Sequence, residues 1–386
     1  MLGLGLSLLW RQTAVAPGQS NPLNLPLAEN RPTITTLLAV GDIMLSRNVS
    51  AKIERAKNPN LPFENLKAIL AQADITFGNL ECPLDPGKTR IREGLIFRCL
   101  TKDFEGVLDS GFDVLATANN HALDQGLDNL EFTVDYLKSQ NILPVGTYKN
   151  GGLKASATSN VTDGFSLPII ESKGLKFGFL AYSYSARNDG GKSTHPQIST
   201  MNIERLKKDI ENLSAKGGSA SGGKSSGADI VIVSMHAGIE YTRIPNQDQI
   251  DFARAAIDAG ADIVLGHHPH WIQGIEKYCP KPHLTSPYQG EETTKNSPPL
   301  QGGARGGDLP CGLIFYSLGN FVFDQMWSVE TREGLMVEFE FRDKELQQAK
   351  LIPVVIDNYC CPRLADEKEK TAILKKINLD SDIISF

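Results

Sequence analysis

The stretch Val264-Leu265-Gly266-His267-His268-Pro269-His270 guides the interpretation of the whole chain, because it holds three of the seven histidines. The apolar run from Ala261 to Leu265 predicts a buried strand. The imidazoles therefore follow a strand end, where α/β proteins place their chemistry. Neutral imidazole is the commonest protein ligand for a metal, and Pro269 stiffens the backbone between two of these histidines. We interpret the stretch as part of a metal site rather than an incidental histidine cluster.

The composition is that of a globular protein, with 386 residues of which 41% are hydrophobic and 22% charged. Such a chain can bury a large core and form one large α/β domain or two. The net charge of −6 gives no basic surface, so nucleic acid is not expected as a partner. The six cysteines contain no Cys-x-x-Cys pair, which argues against a zinc ribbon. Cys279 and Cys311 would form a disulfide in an oxidising compartment.

The first 32 residues are predicted to be an apolar segment followed by a linker. The run Met1–Trp10 has no basic residue ahead of it and is too short to span a bilayer. It is either the end of a signal peptide that begins upstream or a weak signal with small residues near a cleavage point. Both alternatives stay open, and so does export.

Polar side chains with metal-binding potential follow four further predicted strands. The strand Thr33 to Val40 leads to Asp42, and the strand Asp74 to Phe77 leads to Asn79 and Glu81. A single carboxylate at such a place is either a cap or a metal ligand. Two later strands lead to more such groups, which are Asn120, His121 and Asp124 after residues 113–118 and His236 after residues 228–234.

These strands alternate with predicted helices, which indicates a mostly parallel α/β core. The helices are predicted over 47–57, 63–72, 102–110, 127–139, 202–214 and 247–259. A hairpin is predicted over 167–183, and antiparallel strands over 335–341 and 346–355. Residues 216–227 are predicted to be a Gly/Ser linker, 279–310 a disordered insertion and 358–386 a charged, peripheral tail.

The strand-end groups mix imidazole, carboxylate and amide oxygen, which suits one or two divalent ions of Mn, Fe or Zn. Two such ions close together can activate water and hold a phosphoryl oxygen. The recurrence of these groups at five strand ends, more than any one of them, indicates a metal-dependent active site.

The motifs as a set resemble the CapA (PgsA) capsule-synthesis family, which is associated with poly-γ-glutamate and belongs to the calcineurin-like metallophosphatase superfamily. The resemblance runs from about Thr33 to Asp324. It rests on Gly41-Asp42, Gly78-Asn79-Leu80-Glu81, Phe97-Arg98, Ala118-Asn119-Asn120-His121-Ala122-Leu123-Asp124, His236-Ala237-Gly238-Ile239-Glu240-Tyr241, Gly266-His267-His268-Pro269-His270 and Ser317-Leu318-Gly319-Asn320-Phe321-Val322-Phe323. It implies an α/β fold, a four-layer sandwich of two mixed sheets flanked by helices, over a domain at 33–357.

The resemblance also implies roles for single residues. Asp42 is similar to the first metal aspartate of the superfamily, Asn120 to its amide ligand and His121 to the histidine that protonates a leaving group. The remaining metal histidines correspond to His236, His268 and His270.

This sequence departs from the superfamily pattern at two places. Met44 stands where a histidine is usual, and Asn79 stands where an aspartate usually bridges the metals. Glu81 is then the better candidate carboxylate. The departures imply one metal, or two held in a rearranged site that uses Glu81 and His267, and they argue against plain phosphomonoesterase activity.

Two functions follow as hypotheses. The first is a metal-dependent hydrolase acting on a phosphoester or an acyl or amide bond of an envelope polymer or precursor. In it, His121 held by Asp124 is the acid and Arg98 holds an anionic substrate. The alternative is a non-catalytic, metal-stabilised, polymer-binding subunit of a membrane capsule-synthase complex. Both favour a membrane-associated place in the cell envelope, with the cytoplasm as the alternative.

Overall fold

A computed structural model of the chain describes residues 33–87, 96–149, 167–214, 227–280, 310–379 and 381–385. The predicted N-terminal segment at 1–32 lies outside the described residues. So do the Gly/Ser linker, apart from Gly227, and nearly all of the predicted insertion at 279–310.

The described elements alternate between strands and helices over most of the chain. In order they are β1 (Ile34–Ile43), α1 (Arg47–Ala56), α2 (Lys67–Leu70), β2 (Ile75–Leu80), β3 (Leu84–Asp85), β4 (Cys99–Leu100), a 3-10 helix (Thr101–Asp103), α3 (Glu105–Asp109), β5 (Val114–Ala116), α4 (Leu127–Ser139), β6 (Leu143–Val145), β7 (Ile169–Ser172), β8 (Leu175–Ser183), α5 (Ile203–Leu213), β9 (Ile230–His236), α6 (Gln247–Asp258), β10 (Ile263–His267), β11 (Ile275–Tyr278), β12 (Gly312–Phe315), β13 (Asn320–Val322), β14 (Glu333–Arg342), β15 (Glu345–Asp357), β16 (Cys361–Leu364), α7 (Glu367–Lys376) and β17 (Ile383–Ser385).

The described strands form a large sheet of nine strands, a smaller sheet of six and a separate pair, β3 with β4. In the large sheet, β1, β2, β5 and β6 are parallel neighbours, and β14, β15 and β16 continue the sheet antiparallel beyond β1. In the small sheet, β8, β9, β10 and β12 are parallel, and β7 and β11 are antiparallel edges. The predicted parallel core is therefore present in both sheets, and each sheet is mixed.

The two sheets pack face to face through alternate residues of their strands. Leu37 and Phe77 of the large sheet share one core with Phe179 and Ile232 of the small sheet. The rings of Phe77 and Phe179 stack with centroids 5.8 Å apart. The intervening strand residues face outwards and are covered by helices. These strands are therefore buried on both faces, which explains why they are apolar at nearly every position.

Helices cover both outer faces and complete four layers. Helices α1 to α4 pack on the large sheet, where Val49, Ile53 and Leu137 join Leu38 and Val40. Helices α5 and α6 cover the small sheet, where Leu206 and Phe252 join Val231. The predicted four-layer sandwich is confirmed.

Two predicted helices are shorter than expected. Of the helix at 63–72, only Lys67–Leu70 is α-helical, because the preceding residues form turns that bond from residue i to i+3, such as Phe63 N–H to Asn60 O. The helix at 102–110 divides into the 3-10 helix and α3, with buried Phe104 between them. In the described residues, no helix combines the length and apolar character that crossing a membrane requires.

The C-terminal residues differ from the predicted peripheral tail. Strands β16 and β17 pair with β15, and α7 buries Ile373 and Leu374 against the core between the sheets. Residues 33–386 accordingly form one compact unit. The expected disulfide between Cys279 and Cys311 is present, and two unexpected ones join Cys82 to Cys99 and Cys360 to Cys361.

Candidate metal centre

The candidate site lies where the carboxyl ends of the two sets of parallel strands meet. From the large sheet, β1 carries Asp42, β2 ends before Glu81 and β5 leads to His121. From the small sheet, β9 ends at His236 and β10 ends at His267, and these two residues are register partners. Residues far apart in sequence thus converge because both sheets direct their carboxyl ends to one place.

The backbone of the turn after β10 is strained at two of its histidines. His268 has φ of +95° and His270 has φ of +59°, values that bulky L-residues rarely adopt. Gly266 lies next to the last residue of β10, and a Cβ there would lie 2.0 Å from Tyr316 O. The His268 N–H donates to Asp42 Oδ2 at 3.2 Å, which ties the turn to the large sheet. Strain of this kind clusters at functional sites.

Glu81 occupies the middle of the histidines and is completely buried. Its Oε1 lies 3.8 Å from Nε2 of His236 and 3.9 Å from Nε2 of both His121 and His270. Neither carboxylate oxygen has a hydrogen-bond partner among the described residues. Burying a carboxylate without a partner costs free energy of folding, and a bound cation would remove that cost. These oxygens are therefore suited to bind a cation.

Two groups of donor atoms are compact enough to hold a metal ion, and Glu81 belongs to both. One group is Glu81, His236 and His268, and the other is Asp42, Glu81 and His270; within each group the donor atoms lie within 4.8 Å of one another. Nδ1 of His268 also has no hydrogen-bond partner among the described residues. These nitrogen and oxygen donors suit a divalent metal ion.

The electrostatics favour metal-binding forms of the histidines. Burial lowers the pKa of His236 well below its usual value and lowers the pKa of His268 to about 3, so both imidazoles are neutral. Burial, together with the Asp42 carboxylate, raises the pKa of Glu81. Burial also opposes ionisation of Asp42, but its contacts with His267, His270 and Asn79 prevail and lower its pKa.

Asn79 joins two of the predicted ligands. Its Nδ2 donates to Asp42 Oδ1 at 2.8 Å and lies 3.2 Å from Nδ1 of His236. Oδ1 of Asn120 lies 2.9 Å from Nε2 of His236. His267 contacts Asp42, with Nδ1 3.2 Å from its Oδ1. All eight predicted metal residues therefore belong to one connected, buried cluster.

His121 stands beside the cluster with its ring held in place. Its Nδ1 lies 2.7 Å from Oδ2 of Asp124, and its ring stacks on Phe97 with centroids 3.9 Å apart. Its Nε2 points towards Glu81. A carboxylate on one ring nitrogen fixes the tautomer and leaves the other nitrogen for chemistry.

Arg47 and Arg98 have different surroundings. Arg98, predicted to hold an anion, pairs through Nε with the buried carboxylate of Asp85. Arg47 pairs with Asp324, and its guanidinium lies 4.8 Å from the centroid of the Phe97 ring. Arg47 also has a positive φ of +52°. Sequence reasoning missed Arg47, although it lies five residues after Asp42.

Two other residues near the histidines were quoted in motifs but given no role. Asn320 Oδ1 lies 2.9 Å from Nδ1 of His270, a contact that orients this imidazole. The Tyr241 ring lies 5.8 Å from that of His270 in a nearly parallel arrangement. The signal for Asn320 was an amide shortly after the apolar run at residues 313–316. Met44 is buried, and its sulfur accepts a hydrogen bond from Ser46 N–H.

Comparison with known families agrees with this arrangement of motifs. Residues 36–325, about three quarters of the chain, match the bacterial capsule synthesis protein family PGA_cap. The chain belongs to this family. The matched segment contains every residue of the candidate centre, so the resemblance inferred from the motifs is confirmed.

Two curated members are similar over most of their length. The capsule biosynthesis protein CapA of Bacillus anthracis is 27% identical over 351 residues, which cover 90% of this chain and 73% of that protein. The PGA biosynthesis protein CapA of Bacillus subtilis (strain 168) is 29% identical over 348 residues, which cover 89% of this chain and 77% of that protein. Among solved structures, a purple acid phosphatase from yellow lupin seeds matches with a TM-score of 0.31 at 12% identity, covering 89% of this chain and 56% of that one. A TM-score this low carries no argument about function.

Proposed function

We propose that the chain is a metal-dependent hydrolase that takes part in the synthesis of a capsule polymer of the poly-γ-glutamate type. Its substrate would be a phosphoester or an acyl or amide bond of the polymer or a precursor. The observation that carries the proposal is the buried carboxylate of Glu81, which is shared by two metal-capable groups and lacks a hydrogen-bond partner among the described residues. The family name and the names of the Bacillus relatives support the link to the polymer.

The donor set fits the metals that the motifs imply. Glu81, His236 and His268 would hold one ion, and Asp42, Glu81 and His270 the other. When bound, such ions supply Lewis-acid activation of water and of the scissile group. Asn79 and Asn320 keep the ligands oriented, since each contacts a ligand imidazole through its amide.

His121 would move the proton that the leaving group requires. Asp124 accepts the Nδ1–H, so Nε2 is the atom that faces the centre and can hold and release a proton. General acid catalysis of this kind typically contributes roughly 10²- to 10⁴-fold to the rate.

Arg47 is the better placed arginine for an anionic substrate. Its side chain is 31% exposed, whereas the side chain of Arg98 is 15% exposed and faces Asp85, whose side chain is completely buried. The charge of Arg47 also reaches the centre, where it lowers the pKa of Glu81 and partly offsets the effect of burial.

The cysteines support a place outside the cytoplasm. All six are paired in three disulfides. Disulfides persist in oxidising compartments and are rare in the cytosol. We therefore favour the cell envelope, with a membrane capsule-synthase complex as the partner.

Hydrolysis by the metal-loaded protein tests the proposal. We expect Mn- or Zn-dependent cleavage of bis(p-nitrophenyl) phosphate or of γ-glutamyl p-nitroanilide, and a loss of about 10²-fold or more in His236→Ala. The conservative surface variant Glu367→Gln, on α7, is the control for purification. Hydrolysis that His236→Ala leaves unchanged would contradict the mechanism.

A second candidate is a metal-stabilised accessory subunit that binds polymer without turnover. The buried, hydrogen-bonded Met44 favours it, because this position contributes no imidazole to the centre. Metal binding without hydrolysis of any of these substrates would support this candidate over the enzyme.

A further inference from the structure

We propose that two loops beside the candidate metal centre, residues 237–246 and 324–332, dock on a lipid surface. We call these two loops the apolar rim. Their most exposed side chains are all large and apolar: Ile239 is 58% exposed, Ile244 82%, Trp327 60% and Val329 60%. The charged residues of both loops are buried or half-buried. Surface loops normally expose their polar side chains instead, so the rim is adapted to something other than water.

The two loops are joined through Tyr241, so Trp327 projects from a braced base. The Trp327 and Tyr241 rings meet edge to face, with centroids 4.7 Å apart. Gln325 Nε2 donates to the Tyr241 hydroxyl at 3.1 Å, and Tyr241 N–H donates to Pro269 O at 2.9 Å. Tyr241 has φ of +60°, a strained value for an aromatic residue. Rigid projections lose little conformational freedom when they are buried.

The apolar rim forms part of the wall of the candidate centre. Tyr241 lies against His270, and Asn320 connects the two structures, because its Oδ1 contacts His270 and its Nδ2 donates to Gln325 Oε1 at 3.2 Å. A surface that covers the rim would therefore lie close to the catalytic histidines.

The shape of the rim favours a lipid surface over a protein partner. Ile239 and Ile244 stand singly on one loop, and Trp327 and Val329 are separated by Ser328 on the other. A fluid bilayer closes round isolated projections, whereas a protein would need a matching hole for each. Tryptophan also prefers the boundary between headgroups and acyl chains.

The charges of the rim indicate that binding would not depend on anionic lipid. Glu240 and Glu330 balance Arg243 and Arg332, and the remaining charged residue, Asp324, pairs with Arg47. Binding should therefore rest on burial of apolar surface, which salt does not screen. The proposal does not require the hydrolysis proposed above, and its test measures lipid contact alone.

The fluorescence of Trp327 tests the contact directly. The full chain carries Trp10→Phe, so that the apolar N-terminal run does not report, and vesicles are made of phosphatidylcholine with or without brominated acyl chains. We expect a blue shift on vesicle addition and quenching by the brominated lipid. Both should disappear in the same chain with Trp327→Phe, in which Trp271 supplies the background. Emission of Trp327 that does not change with vesicles would overturn the proposal.

A flotation assay with matched variants provides the second readout. Ile239→Ser with Ile244→Ser should lower the partition into vesicles by about tenfold, at low and at high salt alike. Leu127→Ser with Leu364→Ser, which also removes two exposed apolar side chains, should change it less than twofold. Equal flotation of the two variants and the wild type would assign the binding to another segment and contradict the proposal. Unchanged melting temperatures would show that both variants are folded.

Discussion

Oε1 of Glu81 lies 3.9 Å from Nε2 of His270, and both side chains are buried. The distance is too long for a hydrogen bond and short enough for both atoms to bind one ion. The same oxygen lies 3.8 Å from Nε2 of His236, the last residue of β9. One carboxylate therefore stands between imidazoles of two metal-capable groups.

Replacing His121 should separate proton transfer from metal binding. In His121→Asn we expect hydrolysis to fall by roughly 10²- to 10⁴-fold, because an amide cannot deliver the proton. The metal content should not change, since His121 belongs to neither metal-capable group. Elemental analysis beside the rate measurement checks both. Loss of metal together with activity would instead make His121 a ligand.

The two arginines should respond differently to substitution. Arg47→Ala should raise the KM for an anionic substrate about tenfold or more, while Asp324 keeps two hydrogen bonds from Asn48. Arg98→Ala should leave KM unchanged and lower the free energy of unfolding by about 3 kcal/mol, because it removes a cation from the buried Asp85. Steady-state kinetics and urea unfolding of both variants make the comparison. The opposite pattern would restore Arg98 as the substrate residue.

The disulfide between Cys82 and Cys99 should stabilise the fold more than the one between Cys360 and Cys361. The first joins residues 17 apart in sequence, and the second joins neighbours, which closes no loop in the unfolded chain. The loop-entropy argument gives about 3 kcal/mol for the first. Urea unfolding of the two double Cys→Ser variants measures the difference. A larger loss from the vicinal pair would contradict the argument.

The first disulfide also connects the segments on either side of the centre, since Cys82 follows Glu81 and Cys99 lies two residues after Phe97. The double variant Cys82→Ser with Cys99→Ser should therefore bind metal more weakly, whereas the vicinal pair serves as its control.

The polar groups at the strand ends could be predicted because a buried apolar run followed by a polar group is a local pattern. Asp42, His236 and His270 were found in this way, and their convergence followed from parallel strands. The role of Arg47 could not be predicted from the same pattern. Both arginines pair with a buried carboxylate, Arg47 with Asp324 and Arg98 with Asp85, and packing of distant segments brings these partners together. The two arginines differ in exposure, because 31% of the Arg47 side chain is exposed and 15% of the Arg98 side chain.

The C-terminal residues show the limit of reasoning from composition. Their high charge suggested a peripheral tail, yet Asp366 and Glu369 form a capping box at the start of α7. Ile373, Leu374 and Ile377 follow at helical spacing and pack into the core. The local signals for a helix were present, whereas the pairing of β16 and β17 with β15 depends on partners that the local sequence does not reveal.

The most direct test of the central claim is the number of ions bound per chain, measured by elemental analysis after incubation with Mn or Zn and removal of excess metal. Because Glu81 belongs to both metal-capable groups and His268 to one, we expect two ions in the wild type, one in His268→Ala and none in Glu81→Ala. Circular dichroism confirms that the variants fold. A wild type that binds no metal, or a Glu81→Ala variant that binds as much as the wild type, would contradict the account.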